Sequence, residues 1–329
     1  MSLASRAMVC AHLSVATIAG YGVQMRAIPL LFLVAGCTLQ APPPAPHVVP
    51  PPIDLAAVFD CLRERRLALV SAHRGQADPS KAENVLSSFA ETVKAGPILI
   101  ELDIGTTADG ALVLLHDDTL DRTTEGSGPL AARTLAQVRT LRVKDAEGRL
   151  AQGTVPMLDE ALLWAKRAGA LLQLDVKRGT AFEAVIASVR KAQMADRVIV
   201  ITYNLADAKR VQALAPEMML SASGRNADEI AALLAMGNRR LLGFTGLGAP
   251  TAETIARMDA ARVEAITGTL GAAGKRLDDS YMADGDGGEY AELAARGTAL
   301  IASDRPLDAW AALQAAGRSG ETCLTGDDA

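Results

Sequence analysis

Histidine and aromatic residues are scarce in this 329-residue chain, and both shortages limit what the protein can do. Phenylalanine, tryptophan and tyrosine make up 3% of the residues, whereas half of the chain is hydrophobic. A large core must therefore consist mostly of alanine, leucine, valine and isoleucine. Because His12 and His47 lie in leader-like and proline-rich segments, histidine chemistry in the folded part depends on His73 and His116.

The chain also lacks an excess of positive charge and a long apolar run. Its formal net charge of −5 gives no general attraction to nucleic acid or to an anionic membrane. We therefore expect no nucleic-acid partner, and an anionic small-molecule substrate must be held by local cations or a metal. The apolar run 27–36 is shorter than the roughly 20 residues that span a bilayer, and it fits the core of a signal peptide.

The amino-terminal segment is typical of a bacterial lipoprotein. The sequence LVAGC at 33–37 resembles the lipobox, in which the cysteine is lipidated and becomes the first mature residue. We expect residues 1–37 to be a leader, with Met25 as an alternative start. Lipidated Cys37 would then tether the protein to the periplasmic face of a bacterial membrane.

Two segments flank the expected globular domain. Seven prolines in 41–52 predict an extended, semi-rigid spacer, so residues 38–54 are assigned as a linker. Residues 319–329 are expected to form a C-terminal tail. Exported proteins meet an oxidising compartment, and the termini of a domain are often close together, so Cys61 and Cys323 are expected to form a disulfide. The alternative is two free thiols.

Short apolar runs alternate with alanine- and leucine-rich helical stretches from residue 55 onward. This alternation predicts one α/β domain over residues 55–318, a TIM (β/α)8 barrel, which typically takes about 250 residues. A doubly wound sheet is the alternative, but no glycine-rich nucleotide motif follows the first run. The predicted strands are 68–72, 98–104, 171–176, 198–203, 218–222, 241–244, 263–266 and 299–303.

The predicted helices include 158–167, 181–191, 226–236, 252–260, 289–295 and 306–315. The last of them follows the sequence SDRP, so Ser303 or Asp304 is its expected N-cap. A stretch between the second strand and the helix at 158–167 interrupts the alternation. It opens with an ADG turn and an additional strand, ALVLLHD, and is otherwise polar. We expect this small insertion to carry function.

Charged residues lie at the carboxyl ends of the predicted strands, where barrels place their active sites. His73 and Arg74 follow the first strand, and His116 follows the additional one. Three carboxylates lie inside apolar runs, which is costly unless they are paired or bound to a metal. They are Glu101 and Asp103 on the second strand and Asp175 on the third, where Lys177 lies two residues further along.

Two interpretations of the carboxylates remain open at this point. A hard divalent ion such as Mg²⁺ or Ca²⁺ takes oxygen ligands and would relieve their mutual repulsion. Alternatively, Arg74 and Lys177 would pair with them as salt bridges within the barrel. Spacing alone does not distinguish the two.

The same residues form a pattern that resembles the glycerophosphodiester phosphodiesterase family. The resemblance rests on HRG at 73–75, EN at 83–84, ELD at 101–103, the run from Thr107 to Gly128 that includes HDDTLDRTT, and SDRP at 303–306. It is strong over about 69–175 and weaker over 198–313. Three positions differ from the family pattern: Asp175 stands where Glu is usual, Val85 follows the EN pair, and VEAITGTLG occupies the seventh strand.

The resemblance implies a metal-dependent hydrolysis of glycerophosphodiesters to glycerol 3-phosphate and an alcohol. It implies His73 as general base and His116 as general acid, and Arg74 and Lys177 as phosphate-binding residues. The implied metal ligands are Glu101, Asp103 and Asp175, with Glu83 as a further ligand or loop anchor and Asn84 in a supporting role.

Two other functions stay open from the sequence. One is a lysophospholipase D or sphingomyelinase D-like phosphodiesterase acting near the membrane. The other is a lipoprotein that binds phosphorylated polyols without turnover. Retention of both His73 and His116 favours an enzyme over the binding protein, since a binder needs neither imidazole.

Overall fold

The computed structural model describes residues 51–326. The expected leader, Cys37 and most of the expected linker lie outside these residues. The strands are β1 (Leu69–Ala72), β2 (Leu99–Thr106), β3 (Leu112–Leu114), β4 (Arg142–Lys144), β5 (Leu150–Thr154), β6 (Leu172–Val176), β7 (Val198–Ile201), β8 (Met219–Ser223), β9 (Leu241–Leu247), β10 (Glu264–Gly268) and β11 (Thr298–Ser303).

The α-helices alternate with these strands over most of the described chain. They are α1 (Leu55–Arg65), α2 (Leu86–Thr92), α3 (Leu135–Val138), α4 (Leu158–Ala168), α5 (Phe182–Ala192), α6 (Leu205–Leu214), α7 (Ala227–Leu234), α8 (Ala252–Ala261), α9 (Leu277–Tyr281), α10 (Gly288–Arg296), α11 (Pro306–Ala315) and α12 (Glu321–Thr325). None of the helices within 51–326 is long and apolar enough to cross a membrane.

Eight parallel strands close into a barrel. They follow the order β1, β2, β6, β7, β8, β9, β10 and β11, and β1 pairs with both β2 and β11. This confirms the predicted TIM barrel and excludes the doubly wound sheet, which would leave two open edges. All eight predicted runs are barrel strands, with ends that shift by up to three residues.

The barrel strands are hydrophobic on both faces because helices cover the outside and side chains fill the inside. β2 is buried from Leu99 to Gly105, and β6 along its whole length. Charges at the two ends of α4 interact favourably with its helix dipole. Asp159 and Glu160 lie in the first turn, and Lys166 and Arg167 lie in the last. The buried polar exceptions include Asp103 and Asp175 toward the carboxyl ends of β2 and β6, and Glu264 at the amino end of β10.

The insertion is more ordered than its polar sequence indicates. β3 pairs antiparallel with β2, and β4 and β5 form a separate two-stranded sheet. A small apolar core holds the insertion together; its buried members include Val113, Leu115, Leu120, Leu130, Val138, Val143 and Val155. The insertion is therefore a folded unit on the barrel, and it fixes the position of His116 at the end of β3.

The predicted cap of α11 is wrong. Arg305 occupies the N-cap position and caps without its side chain. Ser303 accepts a hydrogen bond from the Arg305 N–H at 2.9 Å, but the carboxylate of Asp304 is turned away and bonds His73 at 2.7 Å. The SDRP sequence therefore supplies a partner for a histidine as well as a helix start.

The two ends of the described chain meet at the amino ends of the barrel strands. Cys61 in α1 and Cys323 in α12 form a disulfide with 5.8 Å between their Cα atoms. Ser319 forms a β-bridge with Ala68 just before β1. The described part of the expected tail is thus a packed helix.

Candidate active site

Charged side chains from five segments face one cavity at the carboxyl ends of the barrel strands. The cavity has a volume of about 270 Å³. His73 enters it from the turn after β1 and His116 from the end of β3, with acidic and basic groups from β2 and β6. The lining residues with ionisable side chains are His73, Glu101, His116, Asp175, Lys177, Tyr203 and Arg225.

Three carboxylates converge next to this cavity. Asp103 and Asp175 are register partners on the adjacent parallel strands β2 and β6, and Glu101 lies two residues before Asp103 on the same face. One oxygen from each of the three lies within 4.8 Å of the others. All three residues are buried, at 7%, 1% and 5% exposure for Glu101, Asp103 and Asp175. The sequence prediction that they meet agrees with this geometry.

The cluster has more negative charge than its neighbours neutralise. Burial raises the pKa of Glu101 well above its usual value, and the charges of Asp103 and Asp175 raise it further. Burial acts in the same direction on Asp103, but Lys177 and His116 outweigh it and lower the pKa of Asp103. The cluster therefore holds one carboxyl that resists ionisation without an additional cation.

Lys177 lies between two of the carboxylates. Its Nζ is 2.6 Å from both Asp103 Oδ1 and Asp175 Oδ2. Burial lowers the pKa of Lys177, but the charges of Asp103 and Asp175 outweigh burial and raise the pKa overall. Asp175 Oδ1 is buried and accepts no hydrogen bond. Hard divalent cations prefer oxygen ligands. The three carboxylates offer such oxygens close together, and Asp175 Oδ1 is not engaged by a protein hydrogen bond, so these residues are suited to hold a cation.

His73 is oriented by an aspartate from the far end of the chain. Its Nδ1 lies 2.7 Å from Asp304 Oδ1, and Asp304 Oδ2 accepts from the Gly271 N–H at 3.0 Å and from Arg276 at 3.1 Å. Burial opposes ionisation, but the hydrogen bond and charge of His73 lower the pKa of Asp304 to about 2. With Nδ1 engaged, Nε2 is the ring nitrogen left for chemistry in the cavity.

His116 has a similar partner within the insertion. Its Nδ1 lies 2.7 Å from Asp117 Oδ1, and Arg122 donates to the other oxygen of Asp117 at 2.7 Å. The hydrogen bond from Arg122 lowers the pKa of Asp117 to about 2. Both histidines thus have a carboxylate on Nδ1, an arrangement that fixes the orientation of the ring.

Glu83 anchors a loop and lies apart from the carboxylate cluster. It accepts from Arg74 Nη1 at 2.8 Å and from Arg122 Nη1 and Nη2 at 2.7 and 2.8 Å. Burial opposes ionisation, but these arginines lower the pKa of Glu83. Asn84 ties the same loop to the cluster, since it donates to Asp103 Oδ2 at 2.7 Å and accepts from the Asp103 N–H at 2.9 Å.

Two site residues have backbone conformations that side chains rarely adopt. Arg74 and Asn84 have φ values of 54° and 56°. The Arg74 N–H donates to Glu101 at 2.6 Å, which links the turn after β1 to the carboxylates. Gly75 follows at φ 67°, where a Cβ would lie 2.1 Å from the Phe89 ring. The HRG sequence therefore meets a backbone requirement as well as a chemical one.

The sequence analysis missed several residues that complete the site. The sequence predicts Asp304 only as a helix cap. It includes Asp117 and Arg122 only as members of the HDDTLDRTT run, with no role of their own. Tyr203, after β7, was passed over although its hydroxyl donates to Asp175 Oδ2 at 2.6 Å. Asp304 is adjacent to a strand end and Asp117 to His116, and Arg122 belongs to the same HDDTLDRTT run. No sequence signal indicates Tyr203.

One wall of the cavity is apolar. It is formed by Ile201, Phe244, Ile266, Leu270 and Ala302. Ile266 and Leu270 come from the segment VEAITGTLG, so this segment lines the site although it departs from the family pattern. A larger cavity of about 690 Å³ also borders His73 and is lined by residues of the insertion, including Lys144 and Asp145.

Comparisons with known proteins agree on one family. The profile of the glycerophosphoryl diester phosphodiesterase family matches residues 73–243, more than half of the chain. A glycerophosphodiester phosphodiesterase of Caldanaerobacter subterraneus is 31% identical over 159 residues, which are 46% of this chain and 65% of that protein. The matched segment therefore spans just under two thirds of that relative's length.

Solved structures share the fold over most of this chain. A glycerophosphoryl diester phosphodiesterase from Parabacteroides distasonis superimposes with a TM-score of 0.71 at 25% identity, covering 81% of this chain and 94% of the other. A phosphodiesterase of Oleispira antarctica, solved with sn-glycerol-3-phosphate as product, gives a TM-score of 0.60 at 21% identity, with 77% and 99% covered. At 21% identity, the similarity to the Oleispira antarctica enzyme shows a shared fold only.

Proposed function

Since the chain belongs to the glycerophosphoryl diester phosphodiesterase family, we propose that it hydrolyses glycerophosphodiesters to glycerol 3-phosphate and an alcohol. The observation that carries this proposal is the meeting of two histidines, each with a carboxylate on Nδ1, and three carboxylates at one cavity. The glycerol 3-phosphate held by the Oleispira antarctica enzyme is the product that this reaction would release.

A divalent metal is part of the proposal. Glu101, Asp103 and Asp175 would hold it, because their oxygens converge and Asp175 Oδ1 has no protein partner. A bound Mg²⁺ or Ca²⁺ supplies positive charge that stabilises the phosphoryl oxygens in the transition state. The shorter side chain of Asp175 is supported by Tyr203 and Lys177, which both contact its Oδ2.

The two histidines would divide the proton transfers. His73 accepts the proton of the attacking hydroxyl through Nε2, while its Nδ1 stays bonded to Asp304. His116 gives a proton to the leaving alkoxide, which is too strong a base to leave unprotonated. The attacking hydroxyl belongs either to water or to the glyceryl group of the substrate.

Cations around the cavity would hold the phosphate. Lys177 lines the cavity directly and would interact with a phosphoryl oxygen as well as with the carboxylates. Arg74 lines the larger cavity that also borders His73. It already binds Glu83, so it would contact the phosphate from that side with the nitrogens left free. Arginine suits this role because its planar group can bind two phosphate oxygens.

An assay with glycerophosphocholine tests the activity and the metal together. We expect choline release by the wild type with Mg²⁺ or Ca²⁺, loss of activity in EDTA, and recovery when metal is restored. Asp103→Asn should need a higher metal concentration and should bind metal more weakly in calorimetry, because one ligand charge is lost. Asp228→Asn, an exposed change on α7, is the control.

The outcomes separate the parts of the proposal. Full activity in EDTA would refute the metal requirement. Failure to hydrolyse any glycerophosphodiester in the presence of metal would refute the activity. Hydrolysis of lysophospholipids alone would favour the lysophospholipase D alternative, and binding without turnover would favour the binding protein.

We also propose that the protein is exported and tethered through Cys37. That residue lies outside the described part of the chain, so support comes from elsewhere. The disulfide between Cys61 and Cys323 is of a kind that persists in oxidising compartments and is rare in the cytosol of mesophiles. An exported location would accommodate both this disulfide and the lipoprotein-like leader.

A further inference from the structure

Two polar side chains deep in the cavity have no protein partner. Gln173 and Ser221 both line the cavity, and each is only 3% exposed. Within residues 51–326, neither the amide of Gln173 nor the hydroxyl of Ser221 takes part in a side-chain hydrogen bond, whereas most polar neighbours in this site do. Buried amides and hydroxyls are nearly always hydrogen-bonded. These two groups are therefore free to bond a polar group that enters the cavity.

Their position places that partner below Asp103 and Asp175 and beside Glu101, the register partner of Gln173. Gln173 precedes Asp175 by two residues on β6, so it faces the same side of the strand and lies about 7 Å deeper in the barrel. Ser221 reaches the same cavity from β8. Ile201 and Ile266 line the cavity as well. The inner end of the cavity thus combines two polar groups with apolar lining, which suits a short carbon chain with a hydroxyl at its end.

We propose that Gln173 and Ser221 bind the terminal hydroxyl of the substrate's glyceryl group and so select for it. This inference rests on the proposed function. The phosphate would be held at the outer end of the cavity by Lys177 and by the cation that the carboxylate cluster would bind, with His73 and His116 beside it. The terminal hydroxyl is the atom of the glyceryl group farthest from phosphorus, so it reaches deepest.

The chemistry of the two side chains matches a single hydroxyl. An alcohol both donates and accepts, and so do an amide and a hydroxyl taken together. The inner end of the cavity limits the size of the group that it can accept. The glyceryl group is the constant part of all glycerophosphodiesters, whereas the alcohol varies, and the constant part suits the enclosed end.

The inference predicts two kinds of discrimination. The propane-1,2-diol analogue of glycerophosphocholine keeps the hydroxyl next to the phosphoester and lacks only the terminal one. We expect its kcat/KM to be about 10- to 100-fold lower, because Gln173 and Ser221 are then left unpaired. A lysophosphatidylcholine acylated at the terminal position should be a poor substrate for the same reason, since its hydroxyl is blocked and enlarged.

The test compares these substrates in the metal-loaded wild type, in Gln173→Leu and in Ser221→Ala. Each variant should lose most of the preference for glycerophosphocholine over the propanediol analogue, mainly through a lower kcat/KM on glycerophosphocholine. Gln314→Leu, an exposed change on α11, should keep the wild-type preference. Thermal melting of Gln173→Leu should match or exceed the wild type, because leucine removes an unpaired buried amide without leaving a large cavity.

The outcomes are distinguishable from failure of the proposed function. A wild type that hydrolyses neither substrate would refute the function itself. A wild type that hydrolyses both equally, or a Gln173→Leu variant that is well folded and keeps the full preference, would overturn the inference and leave the function standing. If Gln173→Leu melts at a much lower temperature, Gln173 is structural, and an unchanged preference in Ser221→Ala would then refute the hydroxyl site.

Discussion

At the scale of single residues, the site depends on how each histidine is held. His73 and His116 each have Nδ1 within 2.7 Å of a carboxylate oxygen, from Asp304 and Asp117 respectively. The two carboxylates come from different parts of the chain, and both have pKa values of about 2. Each carboxylate therefore stays ionised near neutral pH and holds its imidazole in one orientation.

The first prediction concerns the proton given to the leaving group. His116→Ala should lower kcat/KM on glycerophosphocholine by on the order of 10²-fold, because an alkoxide leaves poorly without a general acid. With glycerophospho-p-nitrophenol the loss should be much smaller, since p-nitrophenolate leaves without a proton. Parallel kinetics on both substrates measure the difference.

His73→Ala is the matched control for this prediction. As the general base it should lose similar activity on both substrates, whichever alcohol leaves. Unchanged hydrolysis of glycerophosphocholine by His116→Ala would remove that residue from the mechanism. Equal losses on both substrates would mean that another group is the acid.

At the scale of elements, helix α1 is attached to the barrel by a buried ion pair. Arg63 donates to Glu264, the first residue of β10, at 2.9 Å, and Glu264 is 3% exposed. Burial raises the pKa of Glu264 to about 7, and the hydrogen bond from Arg63 opposes this shift without cancelling it. The same helix carries Cys61, so its position is fixed by two independent contacts.

The second prediction follows from the sign of that shift. Because the folded pKa of about 7 lies above the unfolded value of 4.5, folding favours the protonated carboxyl. This contribution to stability is fully present below pH 4.5 and is lost as pH rises through about 7. Relative to Glu264→Gln, the wild type should lose about 3 kcal/mol of unfolding free energy across this range.

Urea unfolding at several pH values measures this difference. Glu64→Gln is the control, because Glu64 also faces Arg63, at 3.5 Å, but its side chain is 59% exposed. The control should follow the wild type at every pH. If the unfolding free energy of Glu264→Gln also follows the wild type at every pH, burial does not raise the pKa of Glu264.

At the scale of the whole molecule, one disulfide connects the two ends of the barrel domain. Cys61 and Cys323 are 262 residues apart in sequence, so the link encloses almost the entire barrel. Closing so long a loop in the unfolded chain contributes about 2–5 kcal/mol to stability in typical cases.

The last prediction concerns the proposed lipid tether at Cys37. Expressed at full length in a Gram-negative host, the chain should incorporate radiolabelled palmitate, and Cys37→Ser should not, because the acceptor thiol is gone. Cys10→Ser, a cysteine outside the lipobox-like sequence, is the control and should label as the wild type does. Equal labelling of Cys37→Ser would refute the lipid site, and alkylation of Cys61 and Cys323 without reduction would argue against export.

The local sequence was sufficient to predict much of the fold. Hydrophobic runs such as those around Glu101 and Asp175 can be read without tertiary information, because strand period and burial leave a pattern in consecutive residues. The same pattern placed both histidines and the carboxylates at strand ends. It did not reveal the packed core of the insertion, whose apolar residues are spread among polar ones.

The sequence by itself determined the number of barrel strands, the residues at their carboxyl ends and the likeness to a phosphodiesterase family, since each depends on neighbours along the chain. Only the tertiary structure decided which groups pair across it. Asp304 meets His73 from 231 residues away, and Gln173 and Ser221 share a cavity although β7 separates their strands. Barrel closure brings such residues together. No local sequence pattern shows which side chains then remain without a hydrogen-bond partner.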